Sequence, residues 1–258
     1  MATPRILVVP GGTAINAVAL ANASIHKLVE LYEERQADPN HPAPHTVVFL
    51  RDPALVPPAT LRGSAATPEQ AFPEEDYPGL ADRITNDPHF LDGVDLVIAT
   101  SGSSAGKPRL VGLSTDALIA SAKATELALD GPGRWILALP THHIAGAMGL
   151  LRAAVAETNP QVVDTTQGFD PAALLPAIAG VTQDQMPGYL SLVPTQLVQC
   201  LDAGDQVIAA LRSLSAILVG GAALSQNLLQ RALDAGLKVR TTYGMTETSG
   251  GCVYDGEP

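Results

Sequence analysis

Residues 100–109 bring small, hydroxylated and basic side chains together in the stretch Thr-Ser-Gly-Ser-Ser-Ala-Gly-Lys-Pro-Arg. Small residues let the backbone come close to phosphate oxygens, which hydroxyl groups, amides and cationic side chains can bind. The stretch therefore predicts a phosphate-binding loop, and a surface turn is the alternative. It differs from the P-loop of nucleoside triphosphatases, because Pro108 follows Lys107 where that motif requires Ser or Thr.

Two further segments follow predicted strands. Gly220-Gly221 comes directly after the apolar residues 216–219 and before Ala222. Two glycines leave room for a planar base to lie against bare backbone, and they also suit a tight turn between a strand and a helix. Residues 243–247 have the sequence Tyr-Gly-Met-Thr-Glu, which taken alone would also fit a solvated loop.

His142 and His143 are adjacent, and Arg152 lies nine residues beyond His143 on a predicted helix of mostly Ala, Gly, Met and Leu. A metal site is not expected at the histidines, because neighbouring strand residues point to opposite faces and no Cys, Asp or Glu stands at ligand spacing. A hydrogen-bonded structural role is the alternative for His143. A guanidinium on an apolar helix indicates a carboxylate partner, whereas an exposed helix face is the other interpretation of Arg152.

The candidate residues follow or lie near predicted strands, which would position them. Along the chain, short apolar runs alternate with segments that have the length of a helix. This alternation predicts an α/β fold with parallel sheets and helical crossovers. Residues 53–88, dense in Pro, Asp and Glu, predict an irregular and partly extended surface segment. We expect a reduced N-terminal α/β subdomain over residues 1–93 and a nucleotide- and acid-binding subdomain over residues 94–258. Strands are predicted at residues 6–9, 46–50, 94–100, 135–139, 161–163, 189–193, 216–219 and 238–242, and helices at residues 15–32, 114–129, 146–156, 171–179, 195–203 and 225–235.

Composition excludes several classes of partner. A formal net charge of −11 with scattered basic residues argues against nucleic acid. Cys200 and Cys252 are too few for a disulfide framework or a structural zinc site, which fits a reducing cytosol. No apolar run approaches the roughly 20 residues that span a bilayer, and the N-terminus lacks the pattern of a signal peptide. We expect a soluble, cytoplasmic protein.

Four segments, in order along the chain, resemble the motifs of the adenylate-forming superfamily, which contains acyl-CoA synthetases, aryl-CoA ligases and firefly luciferase. They are residues 100–109, residues 140–146 (Pro-Thr-His-His-Ile-Ala-Gly), residues 219–222 and residues 242–247. The resemblance extends over residues 95–257. It implies the fold of the large N-terminal domain of this superfamily, with parallel or mixed sheets and packed helices.

The resemblance also implies a role for each motif. Tyr243 would stack on adenine, Thr246 would bind the α-phosphate of ATP, and Glu247 would ligate the Mg²⁺ that neutralises the phosphates. His143 would stand between the acid pocket and the nucleotide, while His142 replaces an aromatic residue of the family pattern. The implied nucleotide-binding residues are Thr100, Ser101, Gly102, Ser103, Ser104, Gly106, Arg109, Gly220, Gly221, Ala222, Tyr243, Gly244, Met245 and Thr246, and the implied catalytic residues are Thr246, Glu247, His143 and Lys107.

Residues 191–197, together with Arg152 and residues 220–223, are most similar to the o-succinylbenzoate-CoA ligases, the members of the superfamily that act in menaquinone (vitamin K2) biosynthesis. Their substrate is an aromatic dicarboxylate in which one acid group is activated and another stays free. The resemblance implies that Arg152 holds the free carboxylate and that His143 and Gly221 also contribute to the acid site. Residues 191–197 fit equally a strand followed by a helix that starts at Pro.

The resemblance therefore implies a two-step ligase that forms an acyl-adenylate from ATP and a carboxylic acid, and then a thioester with coenzyme A. The protein would act mostly by positioning and charge neutralisation. Another aryl- or acyl-CoA ligase and a non-catalytic adenylate-binding module are the alternatives, and a homodimer is one option for its assembly.

The sequence departs from the family pattern at three places. The phosphate loop is one residue longer, so that either Lys107 or Arg109 could face the phosphates, and the region before the loop is shorter. In the family, a ribose-binding Asp, a hinge and a mobile domain with an adenylation Lys follow the Tyr-Gly-x-Thr-Glu motif, and none of them follows Glu247 here. We therefore expect a fragment of the large domain, without the small C-terminal domain, that binds ligand but catalyses adenylation poorly.

Overall fold

Two mixed β-sheets organise the computed structural model, which describes residues 4–38, 45–55, 65–100 and 109–257. The first sheet contains β1 (Arg5–Pro10), β2 (Thr46–Arg51), β3 (Ala65–Ala66), β4 (Leu96–Thr100) and β5 (Arg109–Leu113). The second sheet contains β6 (Arg134–Leu137), β7 (Gln161–Val162), β8 (Gly188–Leu192), β9 (Ala216–Val219), β10 (Val239–Met245) and β11 (Gly250–Tyr254). The helices are α1 (Ile15–Ala37), α2 (Pro68–Ala71), α3 (Leu80–Asn86), α4 (Thr115–Ala128), α5 (Ile144–Val155), α6 (Leu174–Val181), α7 (Pro194–Asp202), α8 (Asp205–Leu211) and α9 (Gln226–Asp234). None of the helices in these ranges is both long and apolar enough to cross a membrane.

Strand order in the first sheet is β3-β1-β2-β4-β5, with β1, β2 and β4 parallel and the two outer strands antiparallel. The central strand β2, with the sequence Thr-Val-Val-Phe-Leu-Arg, is buried at every position. A continuous apolar run of this kind is typical of a strand that is covered on both faces.

The second sheet has the order β11-β10-β9-β8-β6-β7, and only β11 runs antiparallel to its neighbour. Strands and helices alternate through this region, which confirms the predicted α/β class. Because the parallel strands share one direction, their carboxyl ends meet at one edge of the sheet, and the loops that follow them lie together.

Helix α5 connects the two halves of the structure. It packs against β6 on one side and against α1 and α4 on the other, and α1 in turn covers β1 and β2. The first turn of α5 lies close to the segment that precedes it: a Cβ atom at Gly146 would lie 2.2 Å from the Pro140 carbonyl oxygen. The tight turn before α5 therefore depends on glycine, and it fixes the start of the helix at the carboxyl edge of the sheet.

The prediction that residues 53–88 are irregular was wrong, because β3, α2 and α3 fall within them. Thr67 caps α2 through a reciprocal pair of hydrogen bonds with Gln70. Phe72 stacks on Phe49 with ring centroids 5.3 Å apart, and Tyr77 meets Phe49 edge-on at 6.0 Å. This buried aromatic cluster orders a segment whose Pro, Asp and Glu content suggests a loop.

Three other elements were not predicted, namely β5, β11 and α8. Arg109, which the sequence places in the phosphate loop, is the first residue of β5 and pairs with Thr100 of β4. The rest of that loop, residues 101–108, lies outside the described residues. The division into two subdomains at residue 93 stays a prediction, although the change from the first sheet to the second occurs later, between β5 and β6.

Candidate active site

A cavity of about 800 Å³ opens at the carboxyl ends of β4, β6 and β10. Each of the four sequence motifs contributes residues to its wall, as expected where the loops that follow parallel strands converge. These residues are Thr100, Arg109, Pro140, His143, Ile144, Ala145, Gly221, Met245, Thr246 and Glu247. The motifs are thus far apart in sequence and adjacent in space. Ser101, Gly102, Ser103, Ser104, Gly106 and Lys107 lie outside the described residues.

Arg109 and Glu247 form an ion pair across this cavity, from the guanidinium Nη2 atom to the carboxylate Oε1 atom. The hydroxyl of Thr100 donates to the carbonyl oxygen of Arg109 at 3.2 Å, which ties the start of β5 to the end of β4. Arg109, at the end of the predicted phosphate-binding loop, therefore lies beside Glu247, whose carboxylate the resemblance nominates as a metal ligand.

A second cavity, of about 560 Å³, lies between β10 and the loop that follows β9. Gly221, Ala222, Tyr243 and Gly244 line it, and the Tyr243 ring is exposed. Gly221 has φ +77°, a conformation that favours glycine. Of the residues nominated for adenine binding, Gly221, Ala222 and Tyr243 therefore line one open space, where an aromatic ring and bare backbone are available to a planar base, whereas Gly220 is not in its lining.

Gly244 and Gly220 have a structural reason to be glycine. A Cβ atom at Gly244 would lie 1.9 Å from the carbonyl oxygen of Gly250 on the paired strand β11. A Cβ atom at Gly220 would lie 2.7 Å from the carbonyl oxygen of Thr242. Close contact between backbones therefore accounts for both glycines, whether or not either one touches a ligand.

The two histidine rings lie with their centroids 4.3 Å apart, because both residues belong to the turn before α5 and not, as expected from sequence, to a strand that would separate them. His143 is the N-cap residue of α5 and lines the 800 Å³ cavity. His142 packs against the turn after β1, where a Cβ atom at Gly11 would lie 2.5 Å from the His142 Cβ atom. Partial burial lowers the pKa of both imidazoles, the charge of His143 lowers the pKa of His142 further, and the Asp52 carboxylate opposes both shifts.

Arg152 is buried, with 4% of its surface exposed, so the interpretation as an exposed helix residue is wrong. Its Nε atom donates to the Thr125 hydroxyl at 3.2 Å, and its guanidinium lies 5.0 Å from the centroid of the Trp135 ring. Burial lowers the pKa of the Arg152 guanidinium, and the nearby Tyr254 hydroxyl opposes that shift. Within the described ranges, no carboxylate forms an ion pair with this guanidinium.

Sequence reasoning missed the residues that hold Arg152 in place. Thr125 lies on α4, Trp135 on β6 and Tyr254 on β11, and the hydroxyls of Thr125 and Tyr254 are 2.7 Å apart. No motif or periodicity connects the three, since only the packing of α4 and β11 against α5 brings them together.

Arg152 forms part of the wall of a small cavity of about 100 Å³. Most of the wall is apolar or glycine, and Leu139, Ile144, Ala145, Val193 and Gly221 also line the 800 Å³ cavity. The small cavity is therefore an apolar extension of the large one with a cation in its wall. An acid whose apolar body is followed by an anionic group would suit it.

The model of the AMP-binding enzyme family matches residues 5–258 of this chain. The chain belongs to the AMP-binding enzyme family. The match confirms the resemblance to adenylate-forming enzymes, and it extends to residues 5–94, which precede the first sequence motif.

Relatives of this family member include a probable 2-succinylbenzoate–CoA ligase of Mycobacterium tuberculosis, which is 39% identical over 217 residues. That alignment covers 84% of this chain and 52% of the relative. A 2-succinylbenzoate–CoA ligase of Staphylococcus epidermidis is 32% identical over 160 residues, or 61% of this chain and 31% of the relative. The chain thus spans about half or less of the length of these curated relatives.

Solved structures share the fold of this AMP-binding enzyme. An o-succinylbenzoate CoA synthetase from Bacillus subtilis, in complex with the acyl-adenylate intermediate OSB-AMP, superimposes with a TM-score of 0.62 at 20% identity, covering 97% of this chain and 64% of that one. A malonyl-CoA ligase with methylmalonyl-CoA and AMP bound gives a TM-score of 0.59 at 22% identity, covering 98% and 55%. At these identities the likeness establishes the fold and not the substrate.

Proposed function

We propose that this chain carries the ATP- and acid-binding site of an acid–CoA ligase that activates o-succinylbenzoate. The observation that carries the proposal is Arg152, a buried guanidinium without a carboxylate partner among the described residues, in the wall of an apolar extension of the cavity that contains Thr246 and Glu247. The names of the curated relatives support the same acid.

The reaction has two steps on one acyl group. An oxygen of the succinyl carboxylate attacks the α-phosphorus of ATP, the bond to the β-phosphate oxygen breaks, and pyrophosphate leaves. The sulfur of the coenzyme A thiolate then attacks the acyl carbon, and AMP leaves with the electrons of the broken C–O bond. Thr246 and Arg109 line the cavity where the phosphates would lie, and both can donate hydrogen bonds to phosphate oxygens.

The described residues fit a Mg²⁺ ion at the phosphate end of the site. Glu247 and Thr246 offer oxygen ligands, the type that this hard cation prefers, and both face the 800 Å³ cavity. When bound, Mg²⁺ supplies positive charge that offsets the negative charge of the phosphates. Because Glu247 is paired with Arg109, its carboxylate would exchange that partner for the cation.

The free carboxylate of the aromatic acid would bind Arg152. The apolar part of the substrate would then pass between Ile144 and Val193, which line both cavities. His143, at the start of α5, lines the cavity where the reacting carboxylate would meet ATP. The helix α5 would therefore contact both ends of the acid.

Isothermal titration calorimetry with a non-hydrolysable analogue of o-succinylbenzoyl-adenylate tests this proposal. We expect it to bind at least about tenfold more tightly than matched benzoyl and fatty-acyl analogues, because these lack the second carboxylate. Equal affinities would favour another aryl- or acyl-CoA ligase. Failure to bind any of the three would contradict the adenylate site itself.

A further inference from the structure

Thr242 lies on β10 and lines the small cavity that contains Arg152. Its hydroxyl oxygen is buried, and no hydrogen-bond partner for it occurs among the described residues. Buried hydroxyls in proteins almost always have a partner. A hydroxyl without one in the wall of a ligand cavity is therefore a candidate ligand contact.

Two glycines make room for this side chain. A Cβ atom at Gly251 would lie 2.5 Å from the Thr242 hydroxyl oxygen, and a Cβ atom at Gly220 would lie 2.7 Å from the Thr242 Cγ2 methyl group. The methyl group therefore faces Gly220 and the hydroxyl faces Gly251. Any larger residue at position 251 would occupy the space into which the hydroxyl points.

Thr242 and Arg152 both line this cavity. The position of a Cβ atom at Gly251 is also 2.9 Å from the Tyr254 hydroxyl, so both hydroxyls approach one point. The Tyr254 hydroxyl is 2.7 Å from the Thr125 hydroxyl, which accepts a hydrogen bond from Arg152. The space beside Gly251 thus lies next to the Thr242 hydroxyl on one side and, on the other, next to the Tyr254 hydroxyl, whose partner Thr125 binds the guanidinium.

We propose that Thr242 determines substrate specificity by donating a hydrogen bond to the free carboxylate of the acid, alongside Arg152. This inference rests on the proposed function. A carboxylate only accepts hydrogen bonds, so a hydroxyl and a guanidinium that face one space form a complementary pair of donors. Gly251 is a positioning residue, because its missing side chain leaves the hydroxyl free to face the ligand.

The experiment compares two non-hydrolysable adenylate analogues by calorimetry. One carries the o-succinylbenzoyl group, and the other carries a 4-oxo-4-phenylbutanoyl group, which differs only by lacking the ring carboxylate. For Thr242→Val, which keeps the shape and removes the hydroxyl, we expect affinity for the first analogue to fall about tenfold or more and affinity for the second to change less than about twofold. Thr242→Ser should restore most of the loss.

Thr182→Val is the matched control. It removes a hydroxyl that donates a hydrogen bond to the Ile178 carbonyl oxygen. Neither Thr182 nor any residue of α6 is in the lining of the small cavity. It should leave both affinities unchanged. Binding of AMP and the thermal unfolding temperature report whether each variant is folded. If Thr242→Val fails to bind AMP, Gly251→Ala takes its place, because the added methyl group displaces the hydroxyl without removing it, and the same two affinities are compared.

The outcomes separate this inference from the proposed function. If the wild-type chain binds both analogues equally, the proposed carboxylate site is wrong. If the wild type prefers the dicarboxylate and Thr242→Val keeps the whole preference, the proposed function stands and the role of Thr242 is overturned. Equal weakening of both analogues by Thr242→Val would likewise overturn it, by showing that the residue only shapes the cavity.

Discussion

At the scale of the residue, Arg152 is a cation that the fold places out of contact with water, against the Trp135 ring and the Thr125 hydroxyl. Burying a charge costs free energy, and contacts with an aromatic ring and a neutral hydroxyl offset only part of that cost. A bound carboxylate would offset more of it. The geometry therefore favours an anionic ligand at this position.

Replacing Arg152 with Ala should weaken binding of the dicarboxylate adenylate analogue by about 2–5 kcal/mol, because a buried charge pair would lose one partner. ATP binding should change little, since Arg152 does not line the two cavities assigned to the nucleotide. Calorimetry with both ligands measures the difference. Arg212→Ala, which removes an exposed guanidinium bonded to the Ala235 carbonyl oxygen, is the control. Equal weakening of both ligands would assign Arg152 a structural role.

Replacing Glu247 with Gln keeps the shape of the side chain and removes its charge. We expect Mg²⁺-dependent ATP binding to weaken about tenfold or more, which is about 1.4 kcal/mol. Stability should change little, because the pair with Arg109 is largely exposed and such pairs contribute about 0–1 kcal/mol. Titration of ATP with and without Mg²⁺ measures the effect, and the exposed Glu75→Gln is the control. A large fall in unfolding temperature with nucleotide binding retained would contradict the assignment.

At the scale of the element, the antiparallel pair β10–β11 carries most of the motif that is predicted to bind the nucleotide. Tyr243 and Met245 lie on β10, and the register of the pair shifts between Tyr243 and Gly244. The shift changes which strand positions face each other, and the close approach of Gly244 to Gly250 holds the two strands together there. The placement of the motif therefore depends on a backbone contact.

Gly244→Ala should disrupt this contact, because the new methyl group would overlap the Gly250 carbonyl oxygen. We expect a loss of unfolding free energy of about 1–3 kcal/mol or more, together with a loss of adenylate binding as β10 shifts. Gly168→Ala is the matched control, since Gly168 has φ +106° and open space around it, so only backbone strain is added. Denaturant unfolding of both variants makes the comparison. Similar losses in the two would show that the contact at Gly244 is unimportant.

Sequence predicts well those strands and helices whose own residues show an apolar run or a clear hydrophobic periodicity. Strand β9, Ala-Ile-Leu-Val, is an unbroken apolar run, and all four residues are buried. Strand β11 begins with Gly250-Gly251, and helix α3 buries only Ala81 and Ile84, so neither shows a clear periodicity. Their conformations are set by neighbouring elements, through strand pairing in one case and the aromatic cluster in the other.

The same distinction applies to the candidate site. Local motifs identify Gly221, Tyr243 and Glu247, and the structure places all three around connected cavities. Thr125 and Thr242 carry no local signal, because a threonine acquires a role only through what packs around it. Sequence therefore nominates residues that the fold brings together at these cavities, their nucleotide-binding roles staying predictions, and it misses most of the residues that surround Arg152.

At the scale of the whole molecule, the two sheets meet at the turns that follow β1 and β6. Gly11 lies directly against His142, and the Thr141 amide donates to the Gly12 carbonyl oxygen at 3.1 Å. The Nδ1 atom of His142 is buried and has no hydrogen-bond partner within the part of the chain that the structure describes. This junction between the sheets therefore contains an imidazole whose environment disfavours its charged form.

Lowering the pH should destabilise the folded protein at this junction. Because the folded protein lowers the pKa of His142, the unfolded chain takes up the proton first, at an imidazole pKa of about 6.5. This contribution to stability is complete above that pKa and is lost as the pH falls from it toward the lower pKa of the folded state.

Thermal unfolding at pH 7.5 and pH 5.5 tests this for the wild type and for His142→Phe. We expect the unfolding temperature of the wild type to fall more on acidification than that of the variant, which has no proton to take up at this position. His143 and Asp52 remain in both proteins, so the difference isolates His142. The same pH dependence in both would remove His142 as its source.

Helix α5 begins directly after His143 and carries Arg152 near its other end. Nine residues at 1.5 Å each place these two positions about 13.5 Å apart along the helix, and the Arg152 side chain leans back toward the start. In the proposed site, the length of this helix therefore sets the distance between the reacting carboxylate of the acid and its free carboxylate. Changing which turn bears the arginine, by one turn of about 5.4 Å, would select longer or shorter diacids without altering the nucleotide site. New acid preferences could then evolve by moving one cation along a helix that already exists.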